Sequence, residues 1–214
     1  MPNLQNEFID FLIKNNALQF GEFTLKSGRV SPYFFNLGVF NSGKALTMLG
    51  EFYAETLAQS RMRYDILFGP AYKGIPLVTA TSILLHEKFN QNIPYCFNRK
   101  EKKMYGDGGQ FVGAELAHQH VVMLDDVITA GITAQESITL LKNAHAIVSG
   151  IIIAFDRQER GENNLSAVQE VVKTHDVPVQ SIVTLSDVIQ YLSKSKTLNT
   201  HLKKIERYRD EYGA

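Results

Sequence analysis

The sequence predicts an α/β fold, a central and mostly parallel sheet flanked by helices with a small N-terminal hood. Two observations carry this. Short apolar runs of strand length alternate with helix-length segments whose apolar residues recur every three to four positions. The runs are also apolar throughout, as in strands covered on both faces, and strands linked through helices pair in parallel. In such sheets ligands bind beyond the carboxyl ends of the strands, so the residues that follow each run are the ones to read for chemistry.

The elements follow in order. Leu4, Phe8, Phe11 and Leu12 share one helical face, and the pattern stops at Asn15-Asn16. Residues 20–40 hold Gly21, Gly28, Pro32 and Gly38 between apolar pairs, which predicts short strands and turns. The first 40 residues therefore read as a hood added to the body. A helix spans about 44–59, with Leu46, Leu49, Tyr53, Thr56 and Leu57 as its inner stripe. Strands at 65–68, 93–97, 121–124, 146–155 and 179–185 then alternate with helices at 75–89, 133–143 and 165–175. A charged, helical tail covers 187–192 and 198–212. Residues 98–113 stand apart: Gly106, Gly108, Gly109 and Gly113 argue against a stable helix or strand there. Arg99, Lys100, Lys102 and Lys103 outnumber Glu101 and Asp107, which predicts a basic, mobile loop of the kind that closes over an anion.

Composition excludes several classes. The 214 residues carry 22 Lys+Arg against 22 Asp+Glu, so the basic excess of a duplex-binding protein is missing, although local basic patches remain. Cys96 is the single cysteine, which rules out an internal disulfide and a Cys-rich zinc site. The six histidines show no spacing tied to acids that would hold a metal. The N-terminus lacks a basic region ahead of an apolar core, and no apolar run approaches the ~20 residues of a membrane helix. A cytoplasmic protein made of one domain over 1–214 is the expectation.

The strongest chemical feature is Val121-Val122-Met123-Leu124-Asp125-Asp126-Val127-Ile128-Thr129-Ala130-Gly131-Ile132-Thr133. An apolar strand delivers two adjacent carboxylates, a Thr/Ala/Gly loop follows, and a helix begins. The loop and helix start offer backbone N–H groups and a positive dipole end to a phosphate. The carboxylates cannot bind that phosphate; ribose hydroxyls or a Mg²⁺ carried by a second phosphate group suit them. Tyr72-Lys73-Gly74 also lies between a strand end and a helix start, where Lys73 supplies a point charge. In the Phe34-Phe35 doublet one ring can pack inward while the other meets a flat heterocycle. Arg157, just past a buried strand, suits a substrate carboxylate. Gly38–Lys44 fits G-x-x-x-x-G-K but lacks the Ser/Thr that holds Mg²⁺, so it reads as a helix start and not as a nucleotide loop.

Asp125-Asp126-Val127-Ile128-Thr129-Ala130-Gly131 resembles the signature of the type I phosphoribosyltransferases, and the whole chain resembles the orotate phosphoribosyltransferases within them. Phe23–Arg29 with Ser31–Asn36 is similar to that family's hood, Phe68–Pro76 to its pyrophosphate loop, Asn98–Gly109 to its mobile catalytic loop, and Phe155–Gly161 is a further match. The matches are collinear across nearly the whole chain. The resemblance implies the type I fold, Mg²⁺ held mainly through phosphoribosyl pyrophosphate (PRPP) with no dedicated protein cage, and transfer of a phosphoribosyl group to orotate. It implies PRPP contacts from Lys26, Tyr72, Lys73, Arg99, Lys100, Lys103, Tyr105, Asp125, Asp126 and the loop Val127, Ile128, Thr129, Ala130, Gly131, Ile132, Thr133. It implies orotate contacts from Phe34, Phe35, Thr129 and Arg157, and catalytic roles for Lys73, Lys103, Asp125 and Asp126. It further implies a homodimer in which Arg99, Lys100, Lys103 and Tyr105 are shared between subunits, with no nucleic-acid or membrane partner. Two positions depart from the pattern: Tyr105 stands where the family often has His, and Ile132 where a hydroxyl or glycine is common. A phosphoribosyltransferase for another base, and a non-catalytic PRPP-sensing regulator, are the other readings.

Overall fold

The computed structural model describes residues 3–25, 28–103, 109–129, 131–161, 164–195 and 197–214, with the backbone alone for Lys102 and Lys103. The first helix, α1 (Leu4–Lys14), begins at Asn3, whose side chain accepts a hydrogen bond from the Gln5 amide. The strands β1 (Leu18–Thr24) and β2 (Val30–Phe35) form an antiparallel hairpin separate from the main sheet. The helix α2 (Gly43–Gln59) starts at Ser42, which caps the Ala45 amide, so the Gly43-Lys44 pair does open a helix.

The body is a six-stranded sheet of β3 (Ile66–Gly69), β4 (Tyr95–Lys103), β5 (Gly109–Gly113), β6 (His120–Asp125), β7 (Ile147–Asp156) and β8 (Val179–Thr184). Their spatial order is β5-β4-β3-β6-β7-β8, parallel throughout except for β4 against β5. The helices between them are α3 (Gly74–Phe89), α4 (Ile132–Asn143) and α5 (Ala167–His175), followed by α6 (Leu185–Lys194) and α7 (Leu202–Tyr212). Reciprocal capping boxes, Ser166 with Gln169 and Thr184 with Asp187, fix the starts of α5 and α6.

Strand alternation sorts the core into two layers. Leu67, Val122, Leu124 and Ile152 face α1, α2, α3 and α6, where Phe8, Leu12, Tyr53, Leu57, Val78, Leu85 and Leu192 meet them. Ile66, Phe68, Val121, Met123, Ile151 and Ile153 face α4 and α5, against Ala134, Ile138, Leu141 and Val171. Both faces are dry, which is why these strands read as unbroken apolar runs. Each such side chain contributes about 1.5–3 kcal/mol of burial.

One expectation is corrected. The glycine-rich stretch after residue 98 holds two paired strands, with Cys96 opposite Gly113, Phe97 opposite Val112 and Lys103 opposite Gly109. The glycines enable the pairing. Gly113 has φ +113°, and a Cβ there would stand 2.2 Å from the Tyr95 carbonyl oxygen, so the ladder closes only over a hydrogen. The register breaks between Asn98 and Lys103, and Arg99 Nη1 spans the irregularity by donating to the carbonyls of Gly109 (3.2 Å) and Phe111 (3.3 Å).

The last residues are tied to the segment that leaves β7. The Arg160 amide donates to the Tyr212 carbonyl (2.8 Å), Gly213 pairs with Glu159, and the Ala214 amide donates to the Gln158 carbonyl (3.0 Å). The hairpin β1–β2, α7 and this segment thus form one cap over the end of β7.

Candidate active site

The carboxyl ends of β3, β6 and β7 emerge side by side, as the parallel order requires. Asp125, the last residue of β6, is 8% exposed. Its carbonyl accepts from the Tyr53 hydroxyl at 2.7 Å, and its carboxylate Oδ1 accepts from the Asp126 amide at 2.8 Å. Burial, reinforced by the neighbouring Asp126 charge, pushes the Asp125 carboxyl up to about 7. A folded-state value above the unfolded one means that the native state holds the proton more tightly. The Asp125 contribution to stability should therefore fall as pH rises from about 4 to about 7, and Asp125→Asn should remove that part of the pH dependence in urea midpoints measured across the range. An equal slope in both proteins would refute the assignment.

Asp126 is used twice. Its Oδ1 accepts from the Val127 amide at 2.9 Å, and its Oδ2 meets Lys73 Nζ at 2.7 Å. Lys73 comes from the β3–α3 turn and remains exposed along most of its side chain. That turn is tight: a Cβ on Gly69 would sit 2.2 Å from the Gly74 carbonyl oxygen, and one on Gly74 would sit 2.6 Å from the Gly69 carbonyl carbon. Asn98 on β4 pins the turn by accepting from the Ala71 amide at 2.8 Å. The Ala71–Tyr72 peptide is cis, and Tyr72 is 72% exposed.

After Asp126 the chain dips into the core through Ile128 and resurfaces at Thr129. Gly131, at φ 75°, ends the loop in the left-handed region. Ile132 and Thr133 are exposed in the first turn of α4, whose start has no side-chain cap. Its leading N–H groups and positive dipole end are suited to an anion.

On the hood, Phe34 is open at 37% exposure and stacks on Phe23 with centroids 5.5 Å apart, whereas Phe35 packs on Phe155 at 5.1 Å. Arg157 follows β7 directly. Its Nε donates to Glu159 Oε1 at 2.8 Å, and its guanidinium lies 4.7 Å from the Tyr33 ring centroid. A cleft of about 480 Å³ between the β1–β2 hairpin and α7 contains none of the strand-end groups, whereas one of about 160 Å³, lined by Leu46, Leu49, Pro76 and Leu77, adjoins Lys73 and Asp126. Of the two, only the second is lined by residues expected at the site, Lys73 and Asp126.

Of the residues expected from sequence, the structure joins Lys73 with Asp126 and holds Asp125 beside them. Thr129, Gly131, Ile132 and Thr133 line the loop that follows, with Val127 half-buried at its start. Arg99 is engaged on β5, and Lys100 is exposed on β4. Lys26, Tyr105, Ala130 and the side chain of Lys103 lie outside the described residues. Tyr53, Asn98 and Glu159 were not expected at the site. Tyr53 looked like an ordinary stripe residue, and only the Arg157-x-Glu159 spacing hinted at a pair.

The phosphoribosyl transferase domain model matches residues 41–188. An orotate phosphoribosyltransferase of Pseudoalteromonas translucida is 51% identical over 213 residues, covering 100% of this chain and 99% of that protein. One of Proteus mirabilis is likewise 51% identical with the same coverage. The crystal structure of the Francisella tularensis orotate phosphoribosyltransferase superposes with a TM-score of 0.89 at 43% identity, covering 97% of this chain and 100% of that one. The collinear motifs, the sheet order and these full-length likenesses agree, and the chain belongs to the orotate phosphoribosyltransferases.

Proposed function

We propose that the chain transfers the 5-phosphoribosyl group from PRPP to orotate, giving orotidine 5′-monophosphate and pyrophosphate. The observation that carries the reading is the Asp125-Asp126 pair, which touches Lys73 and stands directly ahead of the uncapped α4, in a chain half identical to orotate phosphoribosyltransferases end to end.

The reaction is a displacement at the anomeric carbon with oxocarbenium character, so charge develops on the ribose ring and on the departing pyrophosphate. Asp125 and Asp126 hold the ribose hydroxyls and offset the positive ring. Lys73 exchanges Asp126 for pyrophosphate oxygen when PRPP enters. Lys26, Tyr72, Arg99, Lys100, Lys103 and Tyr105 complete the pyrophosphate contacts, and stabilising this leaving group is the main catalytic contribution. Tyr105 is a neutral hydrogen-bond donor, which leaves the cationic role to Lys103 and Arg99. The loop from Val127 to Thr133 binds the 5′-phosphate through backbone N–H groups and hydroxyls. Orotate lies against the open ring of Phe34, beside Phe35 that packs inward on Phe155, with Thr129 at its edge and Arg157 on its carboxylate.

Mg²⁺ fits the donors as a companion of the substrate. Asp125 and Asp126 offer hard oxygen ligands beside the phosphate sites, and among the described residues no three His, Cys, Asp or Glu side chains gather to hold an ion. When bound with PRPP it neutralises pyrophosphate charge. The functional unit is a homodimer in which Arg99, Lys100, Lys103 and Tyr105 are shared between subunits. No described helix is long and apolar enough to cross a membrane, which accords with a cytoplasmic place in pyrimidine synthesis.

The test is the loss of orotate absorbance on mixing enzyme, Mg²⁺ and PRPP. Turnover of adenine or hypoxanthine but not orotate would overturn the reading. Lys103→Ala should lower kcat by about a hundredfold or more. Near-normal turnover would move the cationic role elsewhere.

A further inference from the structure

Glu159 collects more partners than a surface carboxylate needs. It lies three residues past β7, and its side chain is 14% exposed. Its Oε1 accepts from the Tyr33 hydroxyl at 2.8 Å and from Arg157 Nε at 2.8 Å, and Arg157 Nη2 stands 2.6 Å from the same oxygen. Its Oε2 faces Arg29 Nη1 at 3.7 Å. Arg29 also donates from Nη2 to the Arg160 carbonyl at 3.3 Å and lies over the Tyr212 ring. One carboxylate thus links the hood hairpin, the exit from β7 and, through Arg29, the last helix.

The Arg157 guanidinium is held along one edge, where Nε and the fully buried Nη2 both meet Glu159 Oε1, and the buried Tyr208 hydroxyl faces the same pair. A guanidinium held through Nε and Nη2 keeps Nη1 as the corner that can take a second acceptor. Burial works against the charge on Arg157, but Tyr33 and Glu159 outweigh it and hold its pKa above the ordinary arginine value. Burial likewise pushes the Tyr33 phenol well above its usual value, so it remains a donor to Glu159. Two guanidiniums on one carboxylate carry a net charge of one positive unit, which a single carboxylate on a substrate balances.

We propose that Glu159 is a positioning residue for substrate recognition: it sets the plane of the Arg157 guanidinium against the Tyr33 ring and leaves the Nη1 corner for the substrate carboxylate. The inference deepens the reading of Arg157 as the orotate contact and rests on it. A planar fork held at one edge by a fixed carboxylate loses little freedom when it binds a second one at another. With Glu159→Gln, Arg157 keeps a neutral acceptor but loses its charged anchor, and Arg29 and Arg157 face each other unscreened.

The experiment measures KM for each substrate, kcat and Tm for Glu159→Gln, Tyr33→Phe and Arg157→Lys. Glu159→Gln should raise KM for orotate about tenfold while KM for PRPP stays within about twofold. Tyr33→Phe, which deletes one oxygen, should raise KM for orotate about two- to fivefold and decides the matter if Glu159→Gln does not fold. Arg157→Lys should raise KM for orotate more than either. If Arg157→Lys leaves KM for orotate unchanged, the assignment of Arg157 to orotate fails. If it raises KM but Glu159→Gln and Tyr33→Phe do not, or if both KM values and Tm shift together, the positioning role fails.

Discussion

Asp126→Asn should lower kcat/KM for PRPP by about 10²–10³-fold with little change in fold, the scale seen when one preorganised electrostatic contact to a transition state is deleted. The side chain bonds the Val127 amide and Lys73 Nζ, and neither is buried beyond reach of water, so the amide variant keeps its local geometry. What it loses is the negative charge paired with Lys73, which on the proposed mechanism also offsets the positive ribose ring. The measurement is initial-rate kinetics with the orotate absorbance assay, paired with circular dichroism to verify folding. A loss below about fivefold would place the catalytic carboxylate elsewhere, with Asp125 the remaining candidate at this strand end.

Gly69→Ala should be severely damaging for a single added methyl group. Its Cβ would lie 2.2 Å from the Gly74 carbonyl oxygen, 2.6 Å from that carbonyl carbon and 2.8 Å from a Val78 methyl, and two of these are backbone atoms that cannot swing away. Overpacking of this kind costs about 3 kcal/mol or more. In a chain of this length that corresponds to a Tm lower by about 6–12 °C, or to no soluble protein. Because Lys73 and Tyr72 ride on the same turn, the residual protein should also lose affinity for PRPP. A Tm within about 2 °C of the parent would mean that β3 and α3 can separate freely, contrary to the close approach of Gly69 and Gly74.

The sequence was legible where chemistry and structure are local. Apolar runs of four to ten residues mark strands because both sheet faces are covered, and Asp125-Asp126 marks a site because no buried strand needs two adjacent acids at its end. Legibility failed where a partner is remote. The strand over Gly109–Gly113 exists because Cys96, Phe97 and Asn98 pair with it, and glycine content alone argues the opposite. The Tyr33 bond to Glu159 crosses 126 positions of sequence, and the Tyr53 bond to Asp125 crosses 72. Neither tyrosine differs from a packing residue until the fold brings its oxygen to a carboxylate or a carbonyl.

The stitching of Tyr212, Gly213 and Ala214 to Gln158, Glu159 and Arg160 has a practical meaning. These residues flank Glu159, whose carboxylate carries the Arg157 guanidinium, on a short stretch of chain held in place from outside. Fraying of α7 on warming removes that outside support before it touches any residue of the sheet. On the function proposed above, damage at the tail would therefore be felt first as weaker grip on the acceptor base, while Asp125 and Asp126 at the end of β6 stay in place.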